Sequence, residues 1–118
     1  MPMNEAQSAM ADRVRSLLAD EPTLTEKSMF GSRAFMVNDR ILVAVFREAD
    51  LLIRVDEEQE AVLMLEPGAG RAYMGPKKRD MGPGWLLIES DAIADDDRLL
   101  FWVDAARERN RAEAERGG

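Results

Sequence analysis

Three observations predict an α+β domain, a two-layer sandwich with a mainly antiparallel sheet and helices on one side. Residues 26–55 hold four short runs rich in β-branched and aromatic residues, separated by turn signals at Gly31-Ser32, Asn38-Asp39 and Glu48-Ala49-Asp50. Helical spacing brackets this block, with Met10, Val14, Leu17 and Leu18 before it and Leu99, Trp102, Val103 and Ala106 near the other end. The links between successive strands are too short for the crossovers that parallel pairing needs. The predicted element order is α-β-β-β-β-α-β-β-α.

Asn4 predicts the N-cap of the first helix, because its side-chain oxygen can accept from a free amide of the first turn, and Gln7 completes a capping-box pattern. Pro22 ends that helix. In the third strand Ile41, Val43 and Val45 fall on one face and Leu42, Ala44 and Phe46 on the other. Both faces are apolar, so this strand is expected to be covered on both sides. Leu51, Ile53 and Val55 continue one face in the next strand, opposite Leu52 and Arg54.

Asp56 predicts another N-cap, Glu57 and Glu58 complement the helix dipole, and Ala61, Val62 and Leu65 supply the apolar stripe of a second helix that Pro67-Gly68 stops. Arg71 to Met74 reads as a short strand, Gly75 to Gly84 as a loop, and Trp85 to Ser90 as the final strand. Asp95 predicts the cap of the last helix. Beyond Ala106 large apolar residues run out, so the core is expected over about residues 5–107, with the tail 108–118 exposed or frayed.

The 118 residues are 46% hydrophobic and 33% charged, a globular composition long enough to bury a real core. With no cysteine and no histidine, the chain can form no disulfide framework, thiolate nucleophile, zinc ribbon or Ser-His-Asp triad. The longest apolar run, Ile41 to Phe46, is too short to cross a bilayer, and Glu5, Asp12, Arg13 and Arg15 interrupt any secretory apolar segment. A cytoplasmic protein without a membrane partner is expected. The net charge of −7 repels phosphate backbones over most of the surface.

Four stretches carry a family likeness. They are Lys27-Ser28-Met29-Phe30-Gly31, the strand exit Leu51-Leu52-Ile53-Arg54-Val55-Asp56, Met74-Gly75 with Met81 to Glu89, and Asp95 to Ala106 with its Trp102-Val103-Asp104-Ala105-Ala106. In this order, over most of residues 24–107, they resemble the N-terminal domain of the TfoX/Sxy competence regulators. Ser32 stands where that family often has a second Gly, and Asn38-Asp39 occupies a turn commonly ending in Gly-Lys. The resemblance implies helices on one side of an antiparallel sheet, and a regulatory role linked to transcription or competence. The motif residues it marks are Met29, Phe30, Gly31, Arg54, Asp56 and Trp102. The longer regulators carry a second, helical domain; at 118 residues a stand-alone N-terminal-type domain over 1–118 is expected.

Candidate sites are few. The loop 71–84 carries Arg71, Lys77, Lys78 and Arg79 against Asp80 alone, a net +3 that leaves −10 for the rest of the chain. Near Tyr73 and Trp85 it could contact phosphates and stack a base, or it could pair with the domain's own carboxylates. Arg54, projecting from an apolar strand, reads either as an anion ligand or as a brace to loop carbonyls or an acidic partner such as Glu89. Asp95-Asp96-Asp97 has the wrong spacing for a metal site and suits a helix start. Gly68, Gly70 and Gly75 match neither a dinucleotide fingerprint nor a Walker loop. No catalytic, cofactor or metal residues are expected; Glu89 and Asp91 could act as acid and base, but nothing fixes a nucleophile beside them.

The expectation is therefore a non-enzymatic interaction domain. Three helices cover one face of the sheet well, so the other face is expected to pair with a second copy, giving a homodimer, with a further protein partner left open. Eight methionines, among them Met29, Met36, Met64, Met74 and Met81, suit either core filling or an adaptable contact surface. The alternative is a nucleic-acid-associated regulator using the loop 71–84, with Arg107, Arg109 and Arg111 as further contacts.

Overall fold

The first helix, α1 (Glu5–Leu17), starts where Asn4, in extended backbone, accepts from the Gln7 amide at 2.8 Å. The computed structural model that shows this describes residues 3–29, 31–74 and 77–116. Gln7 does not close the capping box. Its side chain is buried and its Nε2 donates to the carbonyls of Gly31 and Val45 at 3.0 and 2.9 Å, so the amide pins the helix to the sheet. Met10, Ala11, Val14 and Leu18 then bury one stripe of the helix.

The meander is β1 (Thr25–Met29), β2 (Ser32–Val37), β3 (Arg40–Val45) and β4 (Leu51–Arg54). Further strands are β5 (Ala69–Arg71), β6 (Tyr73–Met74), β7 (Arg79–Asp80) and β8 (Trp85–Ile88). Six of them form one sheet in the order β1-β2-β3-β4-β8-β5, every pair antiparallel, while β6 and β7 make a separate hairpin. The β2–β3 turn places Asn38 and Asp39 at φ 55° and 61°, the two-residue turn whose twist matches the flanking strands.

Strict alternation in β3 does not hold. Phe35 pairs with Val43 but Met36 pairs with Ile41, so Leu42 is the extra residue of a β-bulge. The bulge turns Leu42 into the helix-side core beside Val43 and Val45, and leaves Ile41 half-buried at the end of the sheet. The expected strand 71–74 also divides. Ala69–Arg71 pairs with β8, the chain leaves the sheet at Ala72, and β6, the end of the expected strand, pairs with β7, which lies inside what reads as a loop from sequence. Gly75 and Pro76 of that loop, and Phe30 of the first family motif, lie outside the described residues.

The last strand stops at Ile88 rather than Ser90, because the Asp50 carboxylate accepts from the Ser90 amide at 2.9 Å and a 3₁₀ turn begins there. The second helix is shorter than its pattern suggests. Asp56 accepts from the Glu58 amide at 3.1 Å and starts a 3₁₀ turn (Glu57–Gln59), followed by a single α turn, α2 (Glu60–Leu63). Its buried residue is Leu63, whereas Val62 and Leu65 are 66% and 83% exposed. The Glu60 carboxylate accepts from the Gly84 amide at 2.7 Å and from Arg71 at 3.1 Å, which sets the rotation of the turn and aims the expected stripe outward.

The last helix, α3 (Asp96–Glu115), buries Leu99, Trp102, Val103 and Ala106 as its spacing predicts. Asp95 caps it with its backbone carbonyl, which accepts from the Arg98 and Leu99 amides at 3.1 Å each, and not with its side chain. The helix continues past Ala106 to Glu115, with most of these residues exposed or half-buried and one docked. Asn110 is buried and donates to the Val37 carbonyl at 2.8 Å, while Asn38 donates to its Oδ1 at 3.0 Å. Polar side chains thus dock the helix end on the β2–β3 turn where apolar ones are absent. Among the described residues no helix is long and apolar enough to cross a membrane.

Two cores result, one on each face of the sheet. The large one joins α1, α2 and α3 to Phe35, Val43, Leu51, Ile53, Leu86 and Ile88. The small one contains Ala34, Ala44, Leu52 and Ala72, with no helical residue among its described members.

Candidate functional site

Two surfaces have features that backbone support alone does not explain. The first is the helix-free face of the sheet. Its floor is Ala34, Ala44, Leu52 and Ala72, and its rim is the half-buried Met29, Phe46, Met81, Trp85 and Leu87. The three alanines of the floor let the long rim side chains lie down over them, which shields backbone and Cβ atoms without a second layer. The excursion through β6 and β7 returns to this face, the Met81 amide donating to the Ala72 carbonyl at 2.9 Å. The chain therefore supplies part of the cover expected there, and the Met29, Phe46 and Leu87 side chains retain solvent access.

The second surface is a cleft of about 240 Å³ where the ends of β3, β4 and β8 meet the C-terminal half of α3. It is lined by Arg40, Ile41, Arg54, Trp85, Ala106, Arg109, Asn110 and Glu113. Arg109 donates through Nε to Glu113 at 2.7 Å, again through a terminal nitrogen, and to the Val55 carbonyl at 3.3 Å. Arg40 Nε lies 3.1 Å from the other Glu113 oxygen, and Arg54 approaches within 4.0 Å. The Arg109 hydrogen bonds, reinforced by the charges of Arg109, Arg54 and Arg40, hold the Glu113 carboxyl below the usual Glu range against the opposing effect of burial.

Arg54 has an acidic neighbour, but it is Glu113 at 4.0 Å and not Glu89, the example expected for it. Glu89 is out of reach because Arg54 pairs with Trp85 in the antiparallel register, which puts Glu89 past the opposite end of β8. Its guanidinium instead lies over the Trp85 ring, 5.0 Å from the centroid, and its buried Nε has no hydrogen-bond acceptor among the described residues.

In the loop 71–84, Arg71 is held by Asp80 at 2.8 Å and Glu60 at 3.1 Å, so it braces the hairpin. Arg71 in turn keeps the Asp80 carboxyl below its ordinary value, helped by the Gly82 amide. Lys77, Lys78 and Arg79 are exposed at the hairpin. Arg107 pairs with Glu21 at 2.9 Å, Arg109 serves the cleft, and Arg111 is exposed, so these three arginines do not share a face. Asp96 of the acidic triplet bridges to Arg13 at 2.9 Å, tying α1 to the start of α3. Among the described residues no group of three or more acidic side chains is placed to hold a metal ion.

Met29 ends β1 at the rim of the helix-free face, and Gly31 follows with φ 81°, a conformation that suits glycine in this turn. Asp56 is a cap, and Trp102 is wholly buried in the main core. Sequence reasoning passed over Arg40, Asn110 and Glu113. The only local signal was the Arg109–Glu113 spacing of four, which reads as an ordinary surface pair on a helix.

An antiparallel sheet with three helices on one face, and an apolar patch and a cationic cleft elsewhere, defines an α+β domain of the one-sided sandwich class. The profile of the TfoX N-terminal domain family matches residues 16–109, and the chain belongs to that family. No curated protein matches it. Asn110 and Glu113 lie beyond the matched segment, so the closing wall of the cleft is outside what the family profile covers.

Proposed function

We propose that this TfoX N-terminal-type domain is a non-catalytic regulatory module that works as a homodimer, with the helix-free sheet face as the contact. One observation carries the reading: a floor of Ala34, Ala44, Leu52 and Ala72 is ringed by half-buried Met29, Phe46, Met81, Trp85 and Leu87, and no described helical residue belongs to this cluster. Apolar surface of this kind is stabilised by association, two-fold pairing is the commonest solution, and thioether side chains adapt to a facing copy. Family membership supports the regulatory part, and the link to transcription or competence extends from it.

Light scattering tests the dimer. A mass of twice 13.2 kDa at micromolar concentration is expected, falling to the monomer in Phe46→Glu and Leu87→Glu with unchanged circular dichroism. A monomeric unaltered chain would overturn the reading. Nucleic-acid contact is the second reading, favoured by the exposure of Lys77, Lys78 and Arg79 together on one hairpin. Three phosphate contacts imply a salt slope no steeper than about −3, which filter binding at low salt measures.

A further inference from the structure

The cleft at the end of the sheet gathers Arg40, Arg54 and Arg109 around the single carboxylate of Glu113, so its lining carries a net +2 in a chain of net −7. The three guanidinium groups are not equally satisfied. Arg109 is committed to Glu113 and the Val55 carbonyl, and Arg40 reaches Glu113 through Nε. Arg54 stands 4.0 Å from Glu113, stacked on Trp85, with its Nε buried and without an acceptor. A covered donor with no acceptor is costly, and a guanidinium fork matches the paired oxygens of carboxylate and phosphate groups.

We propose that this cleft binds a small oxyanion, a phosphate or carboxylate group, through Arg40 and Arg54, and that Glu113 half-fills the site as a tethered carboxylate. Charge, shape and size agree. One carboxylate leaves two positive charges uncompensated, the Trp85 ring holds the Arg54 fork flat, and 240 Å³ corresponds to about eight waters at roughly 30 Å³ each, room for an oxyanion with a small organic group. The cleft shares Trp85 with the rim of the helix-free face, but Arg40, Arg54 and Glu113 lie outside that cluster, so anion binding and oligomeric state are read by separate variants and separate measurements.

Inorganic phosphate and succinate are titrated separately at constant ionic strength, followed by Trp fluorescence and by the shift in melting temperature. Saturable binding with a Kd of about 1 mM or tighter is expected for at least one of them. Phosphate alone assigns a phosphate-bearing ligand, succinate alone a carboxylate, and both assign the shared oxyanion chemistry. Arg54→Lys and Arg40→Gln should each weaken binding about tenfold, and Arg47→Gln in the exposed turn between β3 and β4, outside the cleft lining, should leave it unchanged. Glu113→Gln removes the internal competitor and should tighten binding about fivefold. Arg40 and Glu113 lie outside both cores, so these variants are expected to fold, which circular dichroism checks. Absence of saturable binding by either anion, retained affinity in the Arg40→Gln/Arg54→Lys pair, or weakening by Glu113→Gln would each overturn the proposal.

Discussion

Leu86 and Leu87 are neighbours in β8, yet Leu86 is wholly buried under the helices while Leu87 is half-buried on the helix-free face. The same contrast runs through the sheet, with Phe35, Val43 and Ile53 on one side and Ala34, Ala44 and Leu52 on the other. Phe35 and Val43 sit where a helix layer offers facing atoms, and their neighbours Ala34 and Ala44 where the rim of the same strand layer must close over them. A strand apolar on both faces therefore does not imply two equal covers: here one cover is a packed layer and the other is thin, made from pliable side chains and a hairpin.

The contrast can be broken at its sharpest point. Leu86→Ala should cost about 2–5 kcal/mol in denaturant unfolding, the range for cavities in a packed core. Gly68→Ala comes next. Gly68 has φ 80° and an added Cβ would lie 2.3 Å from the Ala92 Cβ, so left-handed strain and overpacking combine to about 2–4 kcal/mol. Leu87→Ala should cost only about 1 kcal/mol in dilute protein, and more as concentration rises if a second copy buries that face. Equal losses for Leu86→Ala and Leu87→Ala at high dilution would mean that the two faces are covered alike.

The smallest expected effect is electrostatic. Glu26 accepts from Arg15 and Arg33, and the Arg15 hydrogen bonds hold its carboxyl below the ordinary 4.5, as Arg109 holds Glu113. Both carboxylates favour the folded state when charged. Their contribution is present above pH 4.5 and is lost as pH falls through their depressed folded values. Glu26→Gln/Glu113→Gln should flatten the acid side of the stability profile by about 0.5 kcal/mol per site, since both pairs are partly solvated. An unchanged acid limb in this variant would mean that neither pairing contributes to stability.

Much of the architecture was legible because burial repeats locally. Leu99, Trp102, Val103 and Ala106 face inward at the spacing that marks them in sequence, and Asn4 caps α1 as its residue type predicts. Legibility failed where a single long-range contact overrode the local pattern. Glu60 sets the rotation of α2 through Gly84 and Arg71, exposing Val62 and Leu65, and Gln7 leaves its capping box for carbonyls of the sheet. Arg54 stood out as an anomaly in an apolar strand, but its surroundings did not, because Glu113 follows it by 59 positions and belongs to a polar run without periodicity.

By itself, then, the sequence determined the one-sided α+β order, the family, the helix stripe of α3 and the absence of imidazole and thiol chemistry. Those properties follow from composition and from the spacing of neighbouring residues. Only the tertiary structure decided that Leu42 turns inward at a bulge, that the strand at 69–74 leaves the sheet at Ala72, and that three arginines gather on Glu113. Each depends on which distant segments meet, and the free energy of such a meeting resides in pairs of groups that no local repeat records.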